Sequence, residues 1–246
     1  MKPYYVSHDK AVRVYCARWE DVVEAGEVKL RDVGLVHSNP PYGKKLRFNG
    51  RGGGRRVNGA PPLKERKWDP VEGDDGPFDP APLLALDRPL ITWGANYYAS
   101  RLPDVDSWIL WDKRDGSTPD KGADGELAWS NLGGPLRIFR HLWKGTLRAS
   151  ECSTLHLHPT QKPEALCAFD FALAMERRKL RRGQIILVTH GGSMPEIRPA
   201  LAIGCKVIVC EVSGAYCHTA VRARLLSMRQ VPLEAQTLGP LFDGRM

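Results

Sequence analysis

At 246 residues, with a formal net charge of +8, the chain has the size of one α/β domain and enough length to bury a full core. The basic balance favours a polyanionic partner, and no apolar run reaches membrane-spanning length, which argues against a membrane protein. Six cysteines without a close Cys-x-x-Cys pair, and a Met1-Lys2-Pro3 start without a secretory leader, point to reduced thiols in a cytoplasm rather than to disulfides or zinc.

In chain order, Ala11–Cys16 alternates and reads as a short strand, Trp19–Val28 as a helix and Val33–Ser38 as a strand. A long irregular stretch follows, from Lys44 to about Pro82. It carries Gly-Arg-Gly-Gly-Gly-Arg-Arg over Gly50–Arg56, several prolines, and the acids Asp69, Glu72, Asp74 and Asp75. A loop this long inside a compact domain is functional or disordered. Order resumes with a strand over Pro89–Trp93, a helix around Tyr97–Leu102 and a strand over Ser107–Asp112; Leu136–Trp143 is a further strand candidate. Pro163–Arg178 reads as a helix with an apolar face through Leu166, Phe169, Leu173 and Ala174. Strands Gln184–Thr189 and Lys206–Glu211 flank a helix over Pro195–Ile203, and a last helix spans about Tyr216–Met228. Strands alternating with helices imply an α/β fold with a largely parallel, doubly wound sheet. Residues 1–246 are expected to form a single domain, with the 44–82 loop inside it.

The stretch Ser38-Asn39-Pro40-Pro41-Tyr42-Gly43 carries the most chemistry. It follows an apolar strand, and open α/β sheets place their ligands at the carboxyl ends of strands. Two consecutive prolines stiffen the turn and remove two N–H donors, leaving carbonyls as acceptors. Asn39 adds an amide acceptor and Tyr42 a π-face. Acceptors beside a stacking ring suit the exocyclic amino group of an extruded base. A plain strand-to-loop turn is the structural alternative.

Asn39-Pro40-Pro41-Tyr42 resembles the catalytic motif of S-adenosylmethionine-dependent DNA amino-methyltransferases, which make N6-methyladenine or N4-methylcytosine. His158-Pro159-Thr160-Gln161-Lys162-Pro163 resembles the motif preceding the cofactor strand in the permuted β-class branch. The segments Ile91–Tyr98, Trp108–Lys113 and Ala123–Trp129 are similar to stretches in phage and prophage members, so the resemblance runs from about Val12 to Arg224. It implies a Rossmann-like three-layer αβα sandwich with the catalytic half first, S-adenosyl-L-methionine as cofactor, and double-stranded DNA as substrate. Adenine N6 is the favoured target and cytosine N4 the second; a homodimer stays open; the setting is a bacterial or phage-infected cytoplasm. In that reading Asn39 and the Pro40 carbonyl accept from the amino group, Pro41 stiffens the turn, and Tyr42 stacks on the base.

The resemblance also assigns cofactor positions. Aligned on Gly204 and Glu211, the family's acidic, glycine-rich turn corresponds to Val188-Thr189-His190-Gly191-Gly192-Ser193-Met194. His190, Gly191, Gly192 and Ser193 would approach the cofactor, and Glu211 would accept from its ribose, or else stand as a strand-end surface glutamate. Thr160 would donate to the cofactor carboxylate or cap the next helix, and Lys162 would pair with that carboxylate. Two family acids are absent: Val188 stands at one position and Arg18 at the other, where Arg18 would repel a cation. These departures imply weakened cofactor binding, or a methyltransferase-like nucleic-acid-binding subunit that has lost it. The basic residues Lys44, Lys45, Arg47, Arg51, Arg55 and Arg56 suit a clamp over DNA phosphates, or a solvated loop. His156 and His158 lack acidic or cysteine partners at metal-ligand spacing, so no metal is expected.

Overall fold

The computed structural model describes residues 1–44, 71–116, 122–144, 147–152 and 156–226. Its first half holds β1 (Tyr5–Val6), β2 (Val12–Tyr15), α1 (Trp19–Glu24), β3 (Val33–Ser38), α2 (Ala81–Leu84) and β4 (Leu90–Trp93). Then come β5 (Ile109–Asp112), β6 (Gly125–Ser130), β7 (Arg137–Arg140) and the small hairpin β8 (Trp143–Lys144) and β9 (Leu147–Arg148). The last part holds α3 (Glu164–Glu176), β10 (Ile185–Val188), α4 (Ile197–Ala202), β11 (Lys206–Cys210) and α5 (Gly214–Val221).

Nine strands form one sheet in the order β1-β2-β11-β10-β3-β4-β6-β5-β7. The run from β2 to β4 is parallel throughout, while β6 lies antiparallel between β4 and β5. Every residue of β3, β4 and β10 is buried, as expected for parallel strands covered on both faces. One face packs Leu35, Ile186 and Val207 against Leu166 and Phe171 of α3, Ile197 of α4 and Cys217 of α5. The other packs Val36, Leu187 and Ile208 against Trp19 and Val22 of α1, Leu83 of α2 and Tyr98. The result is the expected three-layer αβα sandwich.

The strands run parallel here, but the order in which they are added reverses between β10 and β3. From β10 the chain passes through α4 to β11 on one side; from β3 it passes through α2 to β4 on the other. The carboxyl ends of β10 and β3 therefore splay apart, which opens a crevice at a topological switch point.

Several elements differ from expectation. Helix α1 stops at Glu24 rather than Val28, because the Gly26 and Glu27 N–H groups turn back onto the Val23 and Val22 carbonyls and cap it. The helix expected around Tyr97–Leu102 is a pair of 3-10 turns, Ala95–Tyr97 and Ala99–Arg101. They are separated by Tyr98, whose hydroxyl donates to the Trp93 carbonyl at 2.7 Å. β6 has no counterpart among the expected elements, because buried Glu126 interrupts the apolar signal in that strand. The last helix becomes a π-turn over Arg222–Leu226. Pro82, expected in the irregular stretch, lies within α2.

Candidate active site

A cavity of about 690 Å³, including its open mouth, sits at the switch point. Loops after three adjacent parallel strands build it. After β3 come Asn39, Pro40, Pro41 and Tyr42; after β10 come Thr189, His190 and Gly192; after β11 come Glu211 and Ser213. His158 and Thr160, ahead of α3, close one side. Its position at the carboxyl ends of the strands suits a small-molecule site. The Asn39–Tyr42 turn and part of the glycine turn, distant in sequence, thus share one space.

Glu211 is neither a surface residue nor a passive one. It is 9% exposed, and its carboxylate accepts from the Gly192 N–H at 2.7 Å and the Ser213 N–H at 2.8 Å. Burial pushes its carboxyl up, and those two amides oppose the shift. The carboxylate ties the β10 and β11 loops together while still bordering the cavity. Gly191 serves packing rather than lining: a Cβ there would stand 2.5 Å from Val209 Cγ1. Ser193 also lies behind the wall, buried, with its carbonyl accepting from Arg224 Nε at 3.1 Å. Gly191 and Ser193 therefore shape the turn and do not border the cavity.

Burial pulls both cavity histidines down to about 4, His190 by desolvation alone and His158 with help from the nearby Lys162 charge. Both rings are neutral at pH 7. The Ser38 and Thr189 hydroxyls approach His190 Nδ1 at 3.2 and 2.9 Å. Thr160 places its hydroxyl 3.0 Å from His158 Nδ1 and does not cap α3, whose N-cap is Pro163. Glu72 and Asp74 also line the cavity. Among the described lining residues the ionisable groups of fixed sign are acids, so the cavity suits a cation better than a phosphate.

Lys162, expected to pair with a cofactor carboxylate, has partners within the chain itself. Lys162 is 4% exposed; its ammonium forms an ion pair with Glu126 of β6 and donates to the Tyr42 hydroxyl at 3.1 Å. Lys113 reaches the other Glu126 oxygen at 2.5 Å. Burial opposes the Glu126 charge, yet Lys162 and Lys113 overcome it and hold the carboxyl well below the usual range. The Tyr42 hydroxyl stands 2.5 Å from Glu126 Oε1 and 2.7 Å from Asn39 Oδ1. Its ring lies 5.1 Å from the Tyr97 ring and passes over Gly94, which has φ +71°. A Cβ at Gly94 would fall 1.9 Å from Tyr42 Cε1, so only glycine admits the ring there.

Behind the Asn39–Tyr42 turn lies a second buried polar group. His37, two residues before Asn39, approaches Asp170 of α3 at 3.0 Å through Nε2 and Glu196 at 3.1 Å through Nδ1. Trp93 Nε1 donates to the same Asp170 oxygen at 2.8 Å. Desolvation disfavours the His37 charge, but hydrogen bonds to the two carboxylates outweigh it and raise the imidazole to about 9. An imidazolium thus pins β3 to α3 and to the segment ahead of α4.

Of the absent acids, Val188 is fully buried in β10. Arg18 stands at the N-cap position of α1 without a side-chain cap, and pairs with Glu20 at 3.3 Å with its side chain largely exposed. It is not part of the cavity lining, so the expected repulsion of a cation there is corrected. Of the basic clamp residues, Lys44 is described, its Nζ 4.0 Å from the Tyr97 ring centroid. Lys45, Arg47, Arg51, Arg55 and Arg56 lie outside the described residues. Glu126, Lys113, His37, Asp170, Glu196, Glu72 and Asp74 were not singled out from sequence. A charge inside an apolar strand, as at Glu126 and His37, is the signal that could have found two of them.

No family model and no curated protein matches the chain. Solved structures do resemble it. The PvuII DNA methyltransferase (cytosine-N4-specific) superposes with a TM-score of 0.57 at 13% identity, over 96% of this chain and 93% of that one. The M1.HpyAVI–SAM complex superposes with a TM-score of 0.50 at 16% identity, over 86% of this chain and 99% of that one. The chain therefore has the fold of S-adenosylmethionine-dependent methyltransferases, with a mostly parallel central sheet.

Proposed function

We propose that this chain, as a single catalytic domain, is a DNA amino-methyltransferase of the permuted β-class. It would move a methyl group from S-adenosylmethionine to the exocyclic amino nitrogen of an extruded base, adenine N6 in preference to cytosine N4. One observation carries this reading: Asn39–Tyr42 and the Gly192–Glu211 pair face one cavity across the switch point. The likeness to two DNA methyltransferases, one a cytosine-N4 enzyme and one captured with the cofactor, supports it.

The residues fit the cofactor. Glu211 retains lone pairs for ribose hydroxyls while held by two amides. Glu72 and Asp74 offer carboxylates that stand in for the absent family acids, and the neutral histidines add no competing positive charge. When bound, the cofactor supplies an electrophilic methyl group on a sulfonium.

The chain's own task is positioning. An aromatic amino nitrogen is a poor nucleophile because its lone pair is delocalised into the ring. Acceptance of its two N–H groups by Asn39 Oδ1 and the Pro40 carbonyl favours a more tetrahedral nitrogen with its lone pair exposed. Tyr42 stacks on the base, a contact worth roughly 1–3 kcal/mol. Catalysis is then alignment and electrostatics, with no strong base required beforehand, since the methylated nitrogen sheds its proton readily. Double-stranded DNA is the partner, held in part by the Lys44–Arg56 segment.

Titration calorimetry with S-adenosylmethionine, with and without DNA, tests the reading. Binding in the micromolar to millimolar range supports it. Absence of binding at millimolar cofactor with DNA present would favour the second reading, a non-catalytic DNA-binding subunit, which the Val188 substitution suggests.

A further inference from the structure

The Tyr42 hydroxyl stands within hydrogen-bond distance of three groups, Glu126 Oε1, Lys162 Nζ and Asn39 Oδ1, yet it has one proton to give. Glu126 and Asn39 compete for that proton. Glu126 is a carboxylate held by two ammonium groups in a buried site, and it stands closer, at 2.5 Å against 2.7 Å. A charge-assisted O–H···O⁻ bond is about twice as strong as a neutral one, so the carboxylate takes the proton. Lys162 donates into the same hydroxyl oxygen. That leaves Asn39 Oδ1 facing an oxygen with no proton between them, a repulsive contact. Rotation of the Asn39 amide by half a turn resolves it: Nδ2–H then donates into the remaining lone pair of Tyr42. The hydroxyl is saturated, with one proton given and two accepted.

We propose that Glu126, with Lys162, acts as a positioning residue that sets the polarity of the Asn39 amide through Tyr42. Nδ2 is turned toward the tyrosine and Oδ1 is left to accept the amino group of the target base. This rests on the methyl-transfer reading for its use, though not for its geometry. It explains why an ion pair is buried beneath a turn that has no charge of its own. Its absence would let Tyr42 donate to Asn39 Oδ1 and occupy the acceptor that the base needs.

The test combines nitrogen-15 NMR of the Asn39 side-chain amide, assigned by its loss in Asn39→Ala, with single-turnover methyl transfer and cofactor titration. Two variants are compared with wild type: Tyr42→Phe, which keeps the ring, and the double change Glu126→Gln/Lys162→Met, which removes both buried charges together. We expect the Asn39 amide proton to move upfield in both. The single-turnover rate should fall by about tenfold or more, with the cofactor Kd changed by less than about twofold. An amide resonance unmoved in both variants would overturn the proposal, because the amide would not be donating to Tyr42. A moved resonance with an unchanged rate would overturn the catalytic use of that orientation. If wild type transfers no methyl group at all, the methyltransferase reading fails, while the resonance still decides the amide's polarity.

Discussion

In the proposed reaction Asn39 is the residue on which the chemistry turns, and it is given no part in holding phosphates. Asn39→Ala should abolish methyl transfer while cofactor and DNA affinities stay nearly unchanged; a variant keeping more than about a tenth of the single-turnover rate would count against its role. Glu211 makes a different prediction. Glu211→Ala should weaken S-adenosylmethionine by about ten- to a hundredfold, since a hydrogen bond to a charged group is worth roughly 1.5–3 kcal/mol. Calorimetry showing wild-type affinity would remove Glu211 from the ribose. His37 gives a pH signature. Its folded value of about 9 lies above the ordinary 6.5, so its stabilisation is complete below 6.5 and is lost as pH climbs through 9. Burial pushes the Asp170 carboxyl up, which makes that group's ionisation another cost as pH rises. NMR of the His37 ring nitrogens should show protonation persisting to about pH 9, with thermal stability declining between 6.5 and 9. A midpoint at or below 6.5 would dissolve the proposed imidazolium.

At the scale of elements, two glycines hold the strand ends in place. Gly94→Ala would drive a methyl group into the Tyr42 ring, and Gly191→Ala would press Val209 of β11. Overpacking of this kind costs about 1–3 kcal/mol, so denaturant unfolding should shift in both. Only Gly94→Ala should also displace Tyr42 and depress activity beyond its effect on stability. The parallel core was legible from the apolar runs in β3, β10 and β11, and α3 from its apolar face through Leu166, Phe169, Leu173 and Ala174. The split turns at Ala95–Arg101 were not, because Tyr98 is held by a tertiary bond to Trp93 that no local pattern announces. At the site, Asn39–Tyr42 and Glu211 stood out by motif. The Lys162–Glu126 pair was not legible, since Glu126 comes from a strand 36 residues away and is brought in only through the antiparallel insertion of β6. Glu72 and Asp74 were visible only as acids in an irregular stretch; their approach to the cavity is a property of the folded chain.

For the whole molecule, the net charge of +8 suits a polyanionic partner, while the acids lining the cavity suit a cation. Replacing Arg51, Arg55 and Arg56 with Ala should weaken all DNA sequences alike. The slope of log K against log salt should shrink by up to about 0.9 for each phosphate no longer neutralised, and an unchanged slope would assign that segment elsewhere. The central claim is that this cavity joins a methyl donor to a base amino group held by Asn39. Incubation of purified protein with methyl-labelled S-adenosylmethionine and duplex DNA, followed by nucleoside mass spectrometry, tests it most directly. The account predicts labelled N6-methyladenine, or else N4-methylcytosine, from wild type and neither from Asn39→Ala. Labelled 5-methylcytosine, equal product from the variant, or no product from a wild type that binds both cofactor and DNA would contradict it.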